Sequence, residues 1–379
     1  MLFKAESSSS KETNAFEPLE LERIDVDYKD CSKRFQEVAR DFSKQYAHIY
    51  SARLNTFRNI LTPIVMKKWS NRHKILKLCE LRDKGTTCII IGTLFKFQEL
   101  KPSILKELSD QLEIIPQAPR LFYIKLFCWK MSSEDEDGIF TVRDVCWPGC
   151  GIQKPLPTLS ADRYIVLMSG LNTSRTADHM FSMHLLMEWL SGLSGTSEYQ
   201  EEVSKIVRVI VAGGVLASHT NESGVNESEF IAAVEMMDSL AAAVSAVFIL
   251  QDYLIIMVTN PYECFTCLGT SGEPIKDIMR YSKLDDTLEV MKKTLLWRNI
   301  APTCPDTIPC TPCTETDPFI IYNCPAIYFS GNSAEFATDL YEGEIGQRTR
   351  LVCIPNFCDS MTVALVNLSN LECYNMKFS

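Results

Sequence analysis

Short, uninterrupted apolar segments recur through the carboxy-terminal half of the chain, and most are rich in β-branched residues. Continuous apolar strands are typical of sheets that are covered on both faces. Helical spacing appears between them, at 180–190 and 283–297. This alternation predicts an α/β sheet layered with helices. The predicted strands are 164–168, 208–212, 254–258, 326–330 and 350–354.

Most of these predicted strands end in a small polar turn. Ligands of open α/β sheets bind beyond the carboxyl ends of the strands, so these turns are where we expect function. The residues concerned are Ser169, Gly170 and Asn172 after the first strand, Gly213 and Gly214 after the second, Asn260 and Pro261 after the third, and Gly331 and Asn332 after the fourth.

The amino-terminal half shows a different pattern. Helical periodicity runs from 43 to 69 and is interrupted at Pro63, and a further helix is predicted at 103–112. Two β-like segments, 88–97 and 138–147, indicate a small β-barrel.

Composition divides the chain into three parts. Residues 1–40 are polar and charge-mixed, which predicts a flexible tail. The Pro- and Gly-rich segment 148–158 predicts a linker between modules. We therefore expect a helical and barrel domain at 41–157 and an α/β domain at 158–379.

Charge and cysteine content limit the classes of function. The 379 residues carry a net charge of −10, which opposes nonspecific binding to a polyanion. The fifteen cysteines are scattered through a long chain, which favours reduced thiols in a cytosolic or nuclear protein. A membrane span near 240–258 is disfavoured because Gln251 and Asp252 interrupt the apolar run.

The strand-and-turn series resembles the scaffold of binuclear metallophosphoesterases, but the metal ligands of that site are missing. Such a site needs aspartate, asparagine and several histidine ligands at successive strand exits. Here no histidine follows His219, and the other histidines of this half, His179 and His184, fall in a predicted loop and helix. We predict no catalytic residue, no metal ligand and no cofactor. An active metal-dependent phosphodiesterase or nuclease remains the alternative.

Two other candidate sites are weaker. The pairs Cys264/Cys267 and Cys310/Cys313 have the spacing with which two thiolates grip one zinc ion, although strand-edge cysteines are the commoner explanation. The basic segment 66–74, which contains Trp69, could contact nucleic acid, but a solvated helix face is the favoured interpretation.

A set of longer strings, taken in order, is similar to the family of small (B) subunits of DNA polymerase delta. The resemblance runs with gaps from about residue 41 to the end. The strings are SKQYAHIY (43–50), RL (53–54), KLCEL (77–81), GTLFK (92–96), KPSILKEL (101–108), DRYIVLMSGL (162–171), VTNPY (258–262), LGTSG (268–272), RYS (280–282), CPDT (304–307), TDPFI (316–320) and YFSGN (328–332).

The resemblance implies an oligonucleotide-binding (OB) type barrel joined to a calcineurin-like phosphoesterase sandwich that has lost its metal ligands. Its polar turns would then be a vestigial pocket. It implies a non-catalytic nuclear scaffold that holds two partners, the cysteine-rich carboxy-terminal domain of the polymerase delta catalytic subunit and the third subunit. Contact with DNA would be indirect, through the complex, and the interface residues stay unassigned.

Two segments depart from the family pattern. Between Arg120 and Ile139 the chain skips a stretch that normally holds central barrel strands, and between Ser245 and Ile256 it shortcuts a turn region. We therefore expect an incomplete barrel with exposed strand edges.

Overall fold

The computed structural model describes most of the carboxy-terminal half and parts of the amino-terminal half. The described residues are 29–35, 45–69, 73–77, 80, 87–92, 127–134, 140–156, 159, 161–172, 177–214, 231, 234–240, 255–257, 261–264, 266–310, 312–313 and 315–378. The predicted helix at 103–112 lies outside them.

The amino-terminal sheet has four strands in the order β1-β2-β3-β4. Strands β1 and β2 are parallel, and the other neighbours are antiparallel. Strand β3 lies between Arg120 and Ile139, where a shortcut was expected, and pairs with a neighbour on each side, so the chain supplies a strand there. The strands are β1 (Ile75–Leu76), β2 (Cys88–Gly92), β3 (Phe127–Glu134) and β4 (Phe140–Cys146).

A single long helix, α1 (Ala47–Lys68), packs on this sheet. Its stripe of Phe57, Leu61 and Val65 is fully buried at a spacing of four residues, as expected for one helical face. The predicted interruption at Pro63 was wrong, since the helix continues through it. Proline removes one backbone donor, and burial of the apolar stripe outweighs that loss.

The rest of the chain contains two five-stranded sheets. The first large sheet has the order β16-β15-β6-β7-β8, and the second large sheet has the order β13-β14-β12-β10-β9. Their strands are β6 (Tyr164–Met168), β7 (Ile206–Val211), β8 (Ile255–Met257), β9 (Tyr262–Glu263), β10 (Cys267–Thr270), β12 (Ile327–Ser333), β13 (Ala337–Glu342), β14 (Arg348–Pro355), β15 (Thr362–Asn367) and β16 (Cys373–Lys377).

The two large sheets pack face to face between helices. Apolar residues of both sheets form one shared cluster, which includes Leu167, Phe329 and Ile354. Further clusters cover the outer faces, so the layers run α/β/β/α. Helices α2 (Ala177–Leu190) and α3 (Ser197–Ser204) belong to the first sheet, α4 (Glu273–Arg280) and α5 (Thr287–Trp297) to the second, and the short helix α6 (Phe357–Ser360) follows β14. Residues 234–240 are also helical and contribute Leu240 to the cluster on the first sheet.

The predicted strands are confirmed, although their bounds shift by a few residues. Strand β6 is buried along its whole length, as is β7, which agrees with strands that are covered on both faces. Several strands were not predicted, among them β13, β15 and β16, and also β10, which lies between β9 and β12. Among the described residues, no helix has the length and apolar character needed to cross a bilayer.

The predicted linker is in part a strand of the second domain. Its β5 (Ile152–Gln153) pairs in parallel with β11 (Asn323–Cys324). The buried side chain of Gln347 donates to the carbonyl oxygens of Cys150 and Gly151, at 3.2 and 3.0 Å. These bonds hold residues 150–153 on the sandwich, and the connection of two modules by segment 148–158 stays a prediction.

Residues 29–35 correct the tail prediction in a similar way. They include a 3-10 helix, Ser32–Phe35, and dock against β9. The Cys31 amide donates to the carbonyl of Glu263 (2.9 Å), and Arg34 pairs with the Glu263 carboxylate (2.8 Å). An edge strand offers unpaired backbone groups, and this segment satisfies some of them.

Candidate functional site at the strand ends

The structure brings seven of the residues expected at these turns close together, whereas Asn260 lies outside the described residues. Ser169, Gly170 and Asn172 follow β6, Gly213 and Gly214 follow β7, and Gly331 and Asn332 lie at the end of β12. The Gly170 amide donates to the carbonyl of Gly213, and the Asn172 amide to that of Gly214, both at 2.9 Å. We call these seven residues the strand-end cluster.

Ser169 is the centre of the cluster. Its fully buried hydroxyl oxygen accepts a hydrogen bond from the backbone amide of Asn332, at 2.9 Å. The same hydroxyl lies 3.2 and 3.1 Å from the carbonyl oxygens of Ile354 and Pro355, to which it donates. One small side chain therefore links the ends of strands in both large sheets.

Glycines let the loops approach each other closely. A Cβ on Gly331 would lie 2.4 Å from the carbonyl oxygen of Ala212, and a Cβ on Gly214 would lie 2.7 Å from Gly170 Cα. Neither position has room for a side chain. The strand ends thus contact each other directly.

Sequence reasoning missed two members of this site. Asn356 follows β14 and forms a parallel bridge with Ser169, and the carbonyl of Ser271, after β10, accepts from the Asn332 side chain at 2.9 Å. Both come directly after strands, which is the signal that could have found them. The exit of β14 was not considered, and β10 was not recognised as a strand.

The groups in the cluster are neutral. Hydroxyl, amide and backbone groups fill it, and most are bonded to one another; the side-chain oxygens of Asn172 and Asn356 are buried without a hydrogen-bond partner. Across the described ranges, no three or more His, Cys, Asp or Glu side chains gather in a way that could hold a metal ion. His184 is exposed on α2. His219 and the side chain of His179 lie outside the described residues.

The first cysteine pair and Cys310 of the second pair lie on opposite faces of the second large sheet. Cys264 and Cys267 pack in the cluster between the sheets, whereas Cys310 packs against the outer cluster. Cys264 accepts a hydrogen bond from the Cys267 amide at 3.2 Å. This placement argues against a shared zinc site, since the sheet separates the first pair from Cys310.

The basic segment near the end of α1 is engaged with the amino-terminal sheet. The Trp69 indole is almost fully buried and donates to Asp144 of β4 at 2.9 Å. Lys68 pairs with the same carboxylate at 3.2 Å. The Trp69 ring is therefore not presented as a stacking surface for nucleic acid, and the expectation of a solvated face was wrong for this side chain.

Helix α1 also joins the amino-terminal sheet to the sandwich. The Arg53 guanidinium is buried and pairs with the buried carboxylate of Asp317 at 2.5 Å. It donates as well to the carbonyl of Cys304 at 3.0 Å, and the Tyr46 hydroxyl donates to the carbonyl of Cys310 at 2.9 Å. We call the contact of α1 with residues 301–320 the α1 junction.

Comparison with known proteins matches both halves of the chain. The family model of the OB-fold domain of DNA polymerase delta subunits matches residues 45–145, which contain α1 and nearly all of the four-stranded sheet. The family model of the B subunits of DNA polymerases alpha and epsilon matches residues 239–338, from the end of the 234–240 helix into β13.

Curated relatives match over nearly their whole length. The DNA polymerase delta subunit 2 of Drosophila melanogaster is 35% identical, over 94% of this chain and 98% of its own. The chain belongs to the family of DNA polymerase delta small subunits. Other members of the family that it matches are the small subunits of Arabidopsis thaliana, 31% identical over 94% of this chain and 97% of the relative, and of Oryza sativa subsp. japonica, 29% identical over 95% and 99%.

The alignments also bear on the shortened segments. The alignment with the Drosophila family member extends over 427 positions, which is more than the 379 residues of this chain. This chain therefore lacks residues that the relative has. The location of the shortcuts at Arg120–Ile139 and Ser245–Ile256 stays a prediction.

Proposed function

We propose that this chain is a non-catalytic accessory subunit of DNA polymerase delta. Its sandwich would be a calcineurin-like phosphoesterase domain that has lost its metal ligands. The observation that supports this best is the strand-end cluster, where small neutral groups bond to each other at the place where a binuclear site would need carboxylates and imidazoles. The α/β/β/α layering is consistent with such a domain.

The proposed role is to bridge two partners in the nucleus. One is the cysteine-rich carboxy-terminal domain of the catalytic subunit, and the other is the third subunit. The net charge of −10 supports contact with DNA through the complex rather than by this chain alone. The expected interface is of standard size or larger, because a scaffold acts through contact area.

Co-purification tests this role directly. The full chain is co-expressed with the tagged catalytic subunit, and in parallel with a catalytic subunit that lacks its cysteine-rich tail. We expect a stoichiometric complex with the first and none with the second. The third subunit, added last, should be retained only when this chain is present. If the tagged catalytic subunit retained the third one without this chain, the bridging role would be contradicted.

A further inference from the structure

A groove lies beside the first residues of β14, at the end of the second large sheet that is opposite to the strand-end cluster. Its volume is about 310 Å³. The wall that contains β5 is fixed to β14, because the Gln153 side chain accepts a hydrogen bond from the Arg348 amide (2.8 Å) and donates one to the Arg348 carbonyl (2.5 Å). The other walls are the β13–β14 turn and the β15–β16 turn. The lining residues are 152–156, 345–348 and 369–371.

Two isoleucines of the groove are exposed to solvent. Ile152 and Ile345 come from different walls, and each is 74% exposed. Single apolar side chains on a surface are common and need no explanation. Two large apolar side chains that line the same groove indicate a docking surface.

The same groove is positively charged. Lys154 and Arg348 line it, and its described lining contains no carboxylate. Glu342 faces Arg348 in the β13–β14 ladder, but it is not part of the lining. In a chain with a net charge of −10, this combination favours an occupant that carries both apolar and acidic side chains.

The chain has a segment of this kind directly before its docked residues 29–35. Residues 19–28, which we call the acidic segment, have the sequence LELERIDVDY. Apolar and acidic residues alternate in 19–22 and again in 24–28, which predicts extended backbone with the two kinds of side chain on opposite faces. The segment contains four carboxylates and one arginine, so its charge is complementary to that of the groove.

The acidic segment is long enough to reach the groove. One row of residues crosses the second large sheet from the docked residues to β14, and the row consists of Asp30, Cys264, Cys267, Ile327 and Arg350. Arg350 adjoins the groove, since its Nε donates to the carbonyl of Leu371 in the lining at 2.5 Å. The row spans four strand spacings, or about 19 Å. Ten extended residues span about 33 Å.

We propose that the acidic segment binds in this groove, with its carboxylates on Lys154 and Arg348 and its apolar side chains against Ile152 and Ile345. Binding is intramolecular because the segment continues into the docked residues 29–35. The effective concentration is then on the order of millimolar, so contacts that are individually weak are sufficient. A second copy of the chain and an acidic segment of another protein are the competing occupants that the experiment separates.

Photo-crosslinking from the groove tests the proposal in the full chain. Ile345 is replaced by p-benzoylphenylalanine, the isolated chain is irradiated, and the crosslinked peptides are identified by mass spectrometry. We expect crosslinks to residues 19–28 of the same molecule. Leu193 is the matched control position, because it is 77% exposed and follows α2 on the first large sheet. The same replacement there should give no crosslink to the acidic segment.

The other outcomes of this experiment contradict the proposal. Crosslinked dimers on a denaturing gel would show that a second copy fills the groove. Absence of crosslinks to residues 19–28 in the isolated chain would leave the groove to another protein. Equal yields from positions 345 and 193 would show that the acidic segment has no preference for the groove.

Charge reversal tests the ion pairs in the same assay. Lys154→Glu combined with Arg348→Glu should lower the crosslink yield about tenfold, because two exposed attractions become repulsions. Adding Asp25→Lys and Asp27→Lys should restore the yield. Lys377→Glu, at an exposed position of β16, is the control and should leave the yield unchanged. An undiminished yield after reversal of the groove charges would overturn the proposal.

Salt provides a test that needs no charge reversal. Exposed ion pairs are screened at high ionic strength, so about 0.5 M sodium chloride should lower the crosslink yield from position 345 at least about threefold. This measurement decides if the groove variants fail to fold. A yield that is independent of salt would contradict the contacts with Lys154 and Arg348.

Discussion

The strand-end cluster and the α1 junction are both buried and polar, but they are built from opposite kinds of groups. Hydroxyl, amide and glycine backbone groups of the cluster bond to each other, with Ser169 at the centre. The junction instead buries a full ion pair, Arg53 with Asp317. Buried charges are costly unless they are paired and hydrogen-bonded, so the junction depends on both partners, whereas the cluster depends on close packing. An enzyme with this scaffold would concentrate charged groups at its strand ends. In this chain the buried charged groups lie at the α1 junction instead.

Removing one charge from the junction should produce the largest effect. Arg53→Met leaves the Asp317 carboxylate buried without its partner, and we expect a loss of about 3–5 kcal/mol in the free energy of unfolding. Urea denaturation measures it. The double variant Arg53→Met/Asp317→Leu should recover part of the loss, because no unpaired charge remains.

Arg58→Met is the matched control for the junction. Arg58 lies on the same helix but is only partly buried. Its replacement should change the free energy of unfolding by less than about 0.5 kcal/mol. Equal losses for Arg53→Met and Arg58→Met would show that helix α1, and not the ion pair, carries the effect.

Crowding in the strand-end cluster should produce the next largest effect. Gly214→Ala places a Cβ against Asn332 and Gly170, and we expect a loss of about 2–4 kcal/mol. Gly192→Ala is the control, since Gly192 has the same φ of +71° and nothing within 4 Å of its Cβ position. The strain of positive φ is common to both variants, so the difference in their thermal unfolding reports the crowding. No difference would mean that the loops have room to separate.

The hydroxyl of Ser169 should contribute less to the free energy of unfolding. Ser169→Ala leaves the Asn332 amide and two carbonyl oxygens without this partner, and we expect a loss of about 1–2 kcal/mol. Ser51→Ala on the exposed side of α1 should change stability by less than about 0.5 kcal/mol. A loss at Ser169 no larger than the loss at Ser51 would argue against its central position.

The smallest effect concerns the end of α1. The hydrogen bond from the Trp69 indole is the main cause that lowers the pKa of Asp144, with Lys68 acting in the same direction. Trp69→Phe removes the donor and keeps the apolar ring, so the pKa of Asp144 should rise toward its ordinary value. The lowered pKa favours folding above the ordinary Asp pKa, and that contribution is lost as pH falls through the lowered value. NMR titration of the carboxylate in both chains measures the shift, and an unchanged pKa would contradict the role of Trp69.

Much of the sandwich could be predicted from the sequence because its central strands are continuously apolar. Strand β10 could not, because Gly269 and Gly272 indicate a turn. In the fold, Gly269 is paired with Phe329 of β12, and a Cβ there would collide with the phenyl ring. The glycine is therefore required by a neighbour that is distant in sequence, which overrides the local preference.

The candidate site was predicted better than the junction. Strand exits share one edge of a sheet, so residues such as Ser169 and Asn332 are expected to meet once the strands are known. Arg53 and Asp317 are 264 positions apart. Their pairing follows from how α1 docks on the sandwich, and no local pattern of apolar and polar positions indicates it.

Manganese titration of the full chain tests the central claim most directly. Calorimetry records binding, and hydrolysis of bis(p-nitrophenyl) phosphate is followed in the same preparation. Because the strand-end cluster is closed and neutral, we expect no saturable binding of manganese. The rate of hydrolysis should equal the rate in buffer without protein. Two manganese ions per chain, with hydrolysis that is lost in Asn332→Ala, would contradict the account and favour an active phosphodiesterase.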